Sequence, residues 1–181
     1  MMRTSIILLF TFTLIACNSQ QSSSDASSDA ETSKEQQNLA HATSEDDSKT
    51  RVGEISAQEL ITQYTKFSKS YQQYEVDADE SRHFAKLKDM EVIVFFGLWC
   101  HDSQREVPRL IKLIEASGSP FKSIKLIALN TEKELPDEYQ AQFTVTHTPT
   151  IFILQNNQIL ASVVEKPKLT IAKDILGQIF H

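Results

Sequence analysis

An α/β fold, with a central mixed β-sheet flanked by helices, is predicted by three observations. First, "EVIVFF" (91–96) is a short, continuous apolar run, as expected of a strand covered on both faces, and "IKLIAL" (124–129) reads as a second buried strand. Second, an amphipathic stretch from Gln104 to Ala116 lies between them, with Val107, Leu110, Ile111 and Ile114 on one helical face. Third, "TIFIL" and "ILASVV" flank "QNNQ" in the pattern of a β-hairpin, and an amphipathic helix, "LTIAKDILGQIF", closes the chain. Strand, helix, strand, helix, hairpin, helix is a layered plan whose strands cannot all run in one direction.

The chain begins with "MMRTSIILLFTFTLIAC": one positive charge at Arg3, an apolar run from Ile6 to Ile15, then Ala16 before Cys17. This is the layout of a secretory signal over residues 1–16. The run is about half of the roughly 20 residues that span a bilayer, which argues against a permanent transmembrane helix. "LIAC" resembles the bacterial lipobox, and the resemblance implies that Cys17 becomes the lipidated first residue of the mature protein. The bland alternatives are a plain signal peptide with a chance cysteine, or a short anchor. Residues 17–50 follow as a tether with nine serines and almost nothing large and apolar, which cannot bury enough surface to offset the entropy of ordering. Such a tether reaches about 30 Å. The formal charge of −6 is made of +1 from the leading segment, −5 from residues 18–50 and −2 from residues 51–181. The acidity therefore says little about ligands of the globular part, and no basic patch with interleaved aromatics suggests nucleic acid.

Residues 51–89 read as an N-terminal helical extension. "SAQE" (56–59) fits a helix-capping box, Leu60, Ile61, Tyr64 and Phe67 follow at helical spacing, and a weaker helical pattern runs through "DESRHFAKLKD". Residues 90–181 hold the remaining elements. The helix over 104–116 has a natural stop at Gly118, and "PDEYQAQF" reads as a short helix.

Cys100 is the only thiol left once Cys17 is set aside, so an internal disulfide is not expected. That is unusual for an exported protein. The cysteine sits in "GLWCHDSQREVP" (97–108), directly after an apolar strand and at the start of a helix. Unpaired amides and the dipole at a helix N-terminus favour the thiolate, which is the nucleophile in disulfide exchange. Ser103, one turn on, could donate a hydrogen bond to the sulfur. His101 assists when protonated and Asp102 opposes. The alternative is an inert, buried thiol, with His101 and Asp102 as solvated residues of a first helical turn.

With these residues in place, residues from about 90 to 180 resemble the thioredoxin superfamily. The strand Val92–Phe96 runs into Trp99-Cys100, Pro108 stands five residues beyond Ser103 where thioredoxins kink this helix, and "VTHTPT" matches the segment bearing the family's cis-proline, here Pro149. A bacterial subgroup with a Trp-Cys-x-Asp-Ser site and a "VVEKP"-like strand end is also similar. The resemblance implies a thioredoxin-like fold with Cys100 as nucleophile. Trp99 is implied to cover the thiol and contact substrate, and Thr148 and Pro149 to line a groove for extended peptides. His147, on the loop facing Cys100, is implied as a thiolate partner or proton shuttle. Two departures go together: Ser103 replaces the resolving cysteine, and Val94 stands where thioredoxins often place a buried acid.

A single thiol can form a mixed disulfide, but its release needs a second thiol from outside. The leading expectation is therefore monothiol exchange, of isomerase or glutathione type, with Cys100, Ser103 and His101 carrying the chemistry. Trp99, Asp102, Thr148, Pro149 and His147 are expected to contact substrate. Partners are protein thiols or disulfides, glutathione as an external resolving thiol, and a membrane through the lipid anchor, in a bacterial cell envelope facing the periplasm. The competing class is a non-catalytic binding module that captures clients. Metal handling by Cys100, His101 and His147 is disfavoured, because adjacent Cys-His is poor chelate spacing and no second soft ligand is present. Neither metal nor cofactor is expected.

Overall fold

The computed structural model describes residues 51–118 and 121–181. The signal segment, Cys17 and the tether lie outside the described residues.

The run "EVIVFF" forms β2 (Glu91–Phe96), and alternation sends its side chains to both faces of the sheet. Val92, Val94 and Phe96 enter one apolar cluster, with Leu60, Phe67, Phe84, Leu110 and Ile175. Ile93 and Phe95 enter a second, with Tyr139, Phe143 and Phe152. Burial on both faces is why the run is apolar at every position after Glu91. β3 (Ser123–Ala128) lies parallel to β2, and β4 (Thr150–Gln155) lies antiparallel on the other side, so that Val94 faces Leu126 and Ile151. β5 (Gln158–Val164) completes the hairpin. Its turn residues Asn156 and Asn157 both take positive φ, 50° and 65°, a conformation that Asn tolerates better than most residues.

One strand was not legible in the sequence. β1 (Gly53–Glu54) pairs antiparallel with β3 and gives a five-stranded sheet in the order β1-β3-β2-β4-β5. Two residues are too few to carry a strand period. The N-terminal extension is thus not purely helical. It is also not a separate layer, since Leu60, Tyr64, Phe67, Phe84 and Leu87 share the core of Val92 and Val94.

The helical pattern expected after Ser56 is broken in two. α1 (Ala57–Gln63) is capped by Ser56, whose Oγ accepts from the Glu59 N–H at 3.1 Å. Buried Tyr64 takes an extended conformation, and α2 (Thr65–Gln73) starts after it. α3 (Ala78–Phe84) begins at Asp77, whose Oδ1 accepts from the Asp79 and Glu80 N–H groups, both at 2.9 Å. A single 3-10 turn (Ala85–Leu87) leads to β2. α4 (His101–Ser117) contains Pro108 and ends at Gly118 in the left-handed region, φ 53°. α5 (Asp137–Gln140) is one turn long, and α6 (Ile171–Ile179) is capped by Thr170. α2 packs along α4, and α3 touches both α4 and α6. Gln178 on α6 pairs its amide in both directions with the Ser162 backbone, at 3.0 Å each way. That occupies the otherwise open edge of β5.

Candidate active site

β2 ends at Phe96, and a tight turn carries the chain into α4. The Cys100 N–H closes this turn on the Gly97 carbonyl at 3.0 Å, and the Gln104 side chain donates to the Leu98 carbonyl at 2.8 Å. Gly97 is required here for space. A Cβ at this position would stand 2.6 Å from Trp99 Cε2, so only glycine lets the indole fold back over the turn. The half-buried Trp99 donates from Nε1 to the Leu129 carbonyl at 3.1 Å, and Lys133 Nζ lies 5.7 Å from the ring centre. The indole is thereby directed toward Gly97 and the end of β3.

Cys100 is the N-cap of α4 and is partly exposed. Its thiol donates to the Thr148 carbonyl at 3.0 Å, from the residue before Pro149. The Thr148–Pro149 peptide is cis. The sequence-predicted pairing of the "WC" turn with the "THTPT" loop is therefore present across 48 residues of chain. Two further hydrogen bonds hold this loop. Thr150 Oγ1 donates to the His147 carbonyl at 2.7 Å, and the Glu165 N–H, at the "VVEKP" strand end, donates to the Pro149 carbonyl at 2.7 Å.

The remaining expected site residues are placed less simply. Ser103 is fully buried, and its Oγ accepts from the Gly97 N–H at 3.2 Å, while no hydrogen bond joins it to the Cys100 sulfur among the described residues. Its oxygen braces the turn. His147 is exposed and pairs through Nδ1 with Thr146 Oγ1 at 3.0 Å, rather than with the thiol. Thr148 and Pro149 are buried, so the solvent-facing part of that loop is Thr146 and His147. His101 is exposed beside Cys100. Asp102 is bound to Arg105 at 2.6 Å, so its charge is paired. Among the described residues, no cluster of three or more His, Cys, Asp or Glu side chains has the arrangement of a metal site.

One group went unnoticed in the sequence. Glu106, on α4, is 2 % exposed, and its Oε1 takes both Arg105, at 2.6 Å, and Arg109, at 3.2 Å. Its Oε2 is buried with no hydrogen-bond partner among the described residues. The Glu106 hydrogen bond raises Arg105 above its ordinary pKa; burial opposes this, and Asp102 adds to the rise. Arg105 stays a cation at any physiological pH. Val94 is fully buried beneath the site, so no carboxylate comes from that strand position. The available sequence signal was the spacing of Arg105, Glu106 and Arg109 on one helix.

Residues 52–173 match the family model described as Thioredoxin. No curated protein matches the chain. Among solved structures, a protein of unknown function from Pseudomonas aeruginosa is similar at 14 % identity and TM-score 0.51, covering 70 % of this chain and 89 % of its own. Mitochondrial thioredoxin 3 from Saccharomyces cerevisiae, in its oxidized form, is similar at 25 % identity and TM-score 0.32, over 52 % of this chain and 86 % of its own. Thioredoxin f2 from Chlamydomonas reinhardtii is similar at 21 % identity and TM-score 0.34, over 49 % and 80 %. The family match takes in the strand β1, the turn at Cys100 and the cis-proline loop together, and with that span the chain belongs to the thioredoxin family.

Proposed function

We propose that this protein is a membrane-tethered member of the thioredoxin family that performs monothiol thiol–disulfide exchange through Cys100. The observation that carries the reading is the position of Cys100: a partly exposed thiol at the N-terminus of a 17-residue helix, 3.0 Å from the carbonyl before the cis-proline. In the resting thiol, the proton is held in that hydrogen bond. When the proton leaves for solvent, the sulfur loses its tie to Thr148. The thiolate then attacks a substrate disulfide. A bond forms between Sγ and one substrate sulfur, the substrate disulfide breaks, and the departing thiolate takes up a proton. Ser103 cannot reverse this step, because a hydroxyl is not a resolving thiol, so release requires an external thiol. Asp102, His101, Trp99 and His147 are the residues a substrate meets around the sulfur. Lipidation at Cys17 and a position in a bacterial envelope, facing the periplasm, belong to the same proposal and rest on the "LIAC" segment and the polar tether.

The test is to incubate the full chain with glutathione disulfide or a disulfide-bonded peptide, identify adducts by mass spectrometry, and then add reduced thiol. An adduct on Cys100 that forms and is released over repeated cycles is expected. An adduct that accumulates without release makes the protein a capture module, and no adduct overturns the proposal.

A further inference from the structure

A cleft of about 660 Å³ lies between α2 and the first turns of α4. That is within the size range of small-molecule sites. Its wall carries four cations: Lys66 and Lys69 come from α2, and Arg105 and Arg109 from α4, with His101 at one end. Glu75 is the sole acid among the lining residues. This charge is local, because residues 51–181 as a whole are acidic by two. The two guanidinium groups are held in place from behind. Buried Glu106 binds both through one oxygen, Asp102 binds Arg105 at 2.6 Å as well, so that Arg109 is the less committed of the two, and the Arg109 guanidinium lies 5.4 Å from the centre of the Tyr74 ring. Burial, followed by the negative charge of Glu80, raises the Tyr74 pKa, so this ring remains a neutral platform. Arg105 and Arg109 retain 32 % and 38 % of their side-chain surface for a ligand. Arg forks so pre-organised suit carboxylates. The cleft starts at His101, the residue immediately after Cys100.

We propose that this cleft is a binding site for a small thiol bearing two carboxylates and an ammonium group, and that this thiol is the external resolving agent of Cys100. The proposal rests on the monothiol reading above. The carboxylates meet Arg105, Arg109 and Lys69, and the ammonium meets Glu75. In the resolving step, the bound ligand's thiolate attacks the client sulfur of the Cys100–client mixed disulfide. A disulfide forms between ligand and client, the bond to Sγ breaks, and Cys100 leaves as a thiolate that takes up a proton. No net oxidation or reduction occurs.

S-methylglutathione carries the required charges and cannot react, so it separates binding from chemistry. Titrations by calorimetry and NMR use the full chain, with Lys69→Glu and Arg109→Gln as variants; Lys69 is exposed, so its reversal leaves the core untouched. Saturable binding that weakens with added salt is expected, about threefold to fivefold weaker in either variant, and lost for the dimethyl ester. Absence of saturable binding, equal affinity for the ester, or unchanged affinity in both variants overturns the site. The two proposals fail separately. If Cys100 cycles with neutral thiols but S-methylglutathione does not bind, the cleft is wrong and the exchange activity stands. If S-methylglutathione binds as expected but Cys100 forms no adduct, the exchange activity and the resolving role are wrong and the anion site stands.

Discussion

Replacing Val94 by Asp tests how the site is founded. Val94 is fully buried in the central strand, between Leu126 on β3 and Ile151 on β4, with apolar side chains around it. Removing a buried valine side chain forfeits about 1.5–3 kcal/mol of burial. The new carboxyl has no partner there and folds in its neutral form. At pH 7, protonating a group whose unfolded pKa is about 3.9 costs about 4 kcal/mol, at about 1.4 kcal/mol per unit. The sum, about 6 kcal/mol, rivals the total stability of many domains. The folded-state pKa of the introduced carboxyl is raised, so the loss is full above that pKa and shrinks as pH falls toward the unfolded value. Provided the folded pKa is at or above 7, about 3 kcal/mol should be recovered between pH 7 and pH 5. Urea denaturation at both pH values, with Val94→Asn as a control that cannot titrate, measures this. The Val94→Asn loss should be the same at each pH. An unchanged midpoint for Val94→Asp, or a loss with no more pH dependence than the control, would refute the reasoning.

Further expectations concern the turn and the anchor. Ser103→Cys should let an internal disulfide form with Cys100, seen as a loss of two hydrogens by mass spectrometry; giving up the hydroxyl that accepts from Gly97 should cost about 1 kcal/mol. Failure to form that bond under oxidising conditions would mean the two positions cannot approach as a resolving pair must. Gly97→Ala should displace the indole, because its methyl would meet Trp99 Cε2 at 2.6 Å. Trp99 is the only tryptophan, so its fluorescence reports the shift directly, and an unaltered spectrum would contradict the close packing. Cys17→Ser should abolish lipid attachment, and a wild-type protein without lipid by mass spectrometry would remove the anchor from the proposal.

Much of the fold was legible because its central strand is buried on both faces. Such burial leaves a continuous apolar run, which "EVIVFF" carries plainly, whereas "IKLIAL" is interrupted by Lys125 and β3 is buried only from Leu126 to Ala128. The hairpin at Asn156 and Asn157 and the stop at Gly118 were legible through backbone conformations that few residues accept. β1 was not, because two residues hold no period, and the break at Tyr64 was not, because Tyr64 keeps its place in the helical apolar pattern while its backbone leaves the helix. At the site, the pairing of Cys100 with the Pro149 loop was implied by the resemblance to the thioredoxin superfamily. What sequence could not supply was where each small polar group spends its hydrogen bond. Ser103 turns to Gly97, His147 to Thr146 and Asp102 to Arg105, choices made by distances of about 3 Å or less that no spacing rule encodes.

Those choices bear on why one sulfur would suffice. In a dithiol enzyme, the position one turn after the nucleophile must be free to react. Here it is a buried hydroxyl whose oxygen braces the very turn that presents Cys100. The strand below offers Val94, so nothing there would help deprotonate a resolving thiol. The buried acid that α4 does carry, Glu106, is committed through one oxygen to two arginines on the outer side of the helix. An enzyme that had merely lost its second cysteine would have no reason to desolvate a carboxylate there, since a buried charge is costly unless its partners matter. On the proposed reading the cost is met by holding Arg105 and Arg109 toward the cleft. On that same reading, charge that would assist resolution from within the site instead serves to recruit a resolving thiol from outside it.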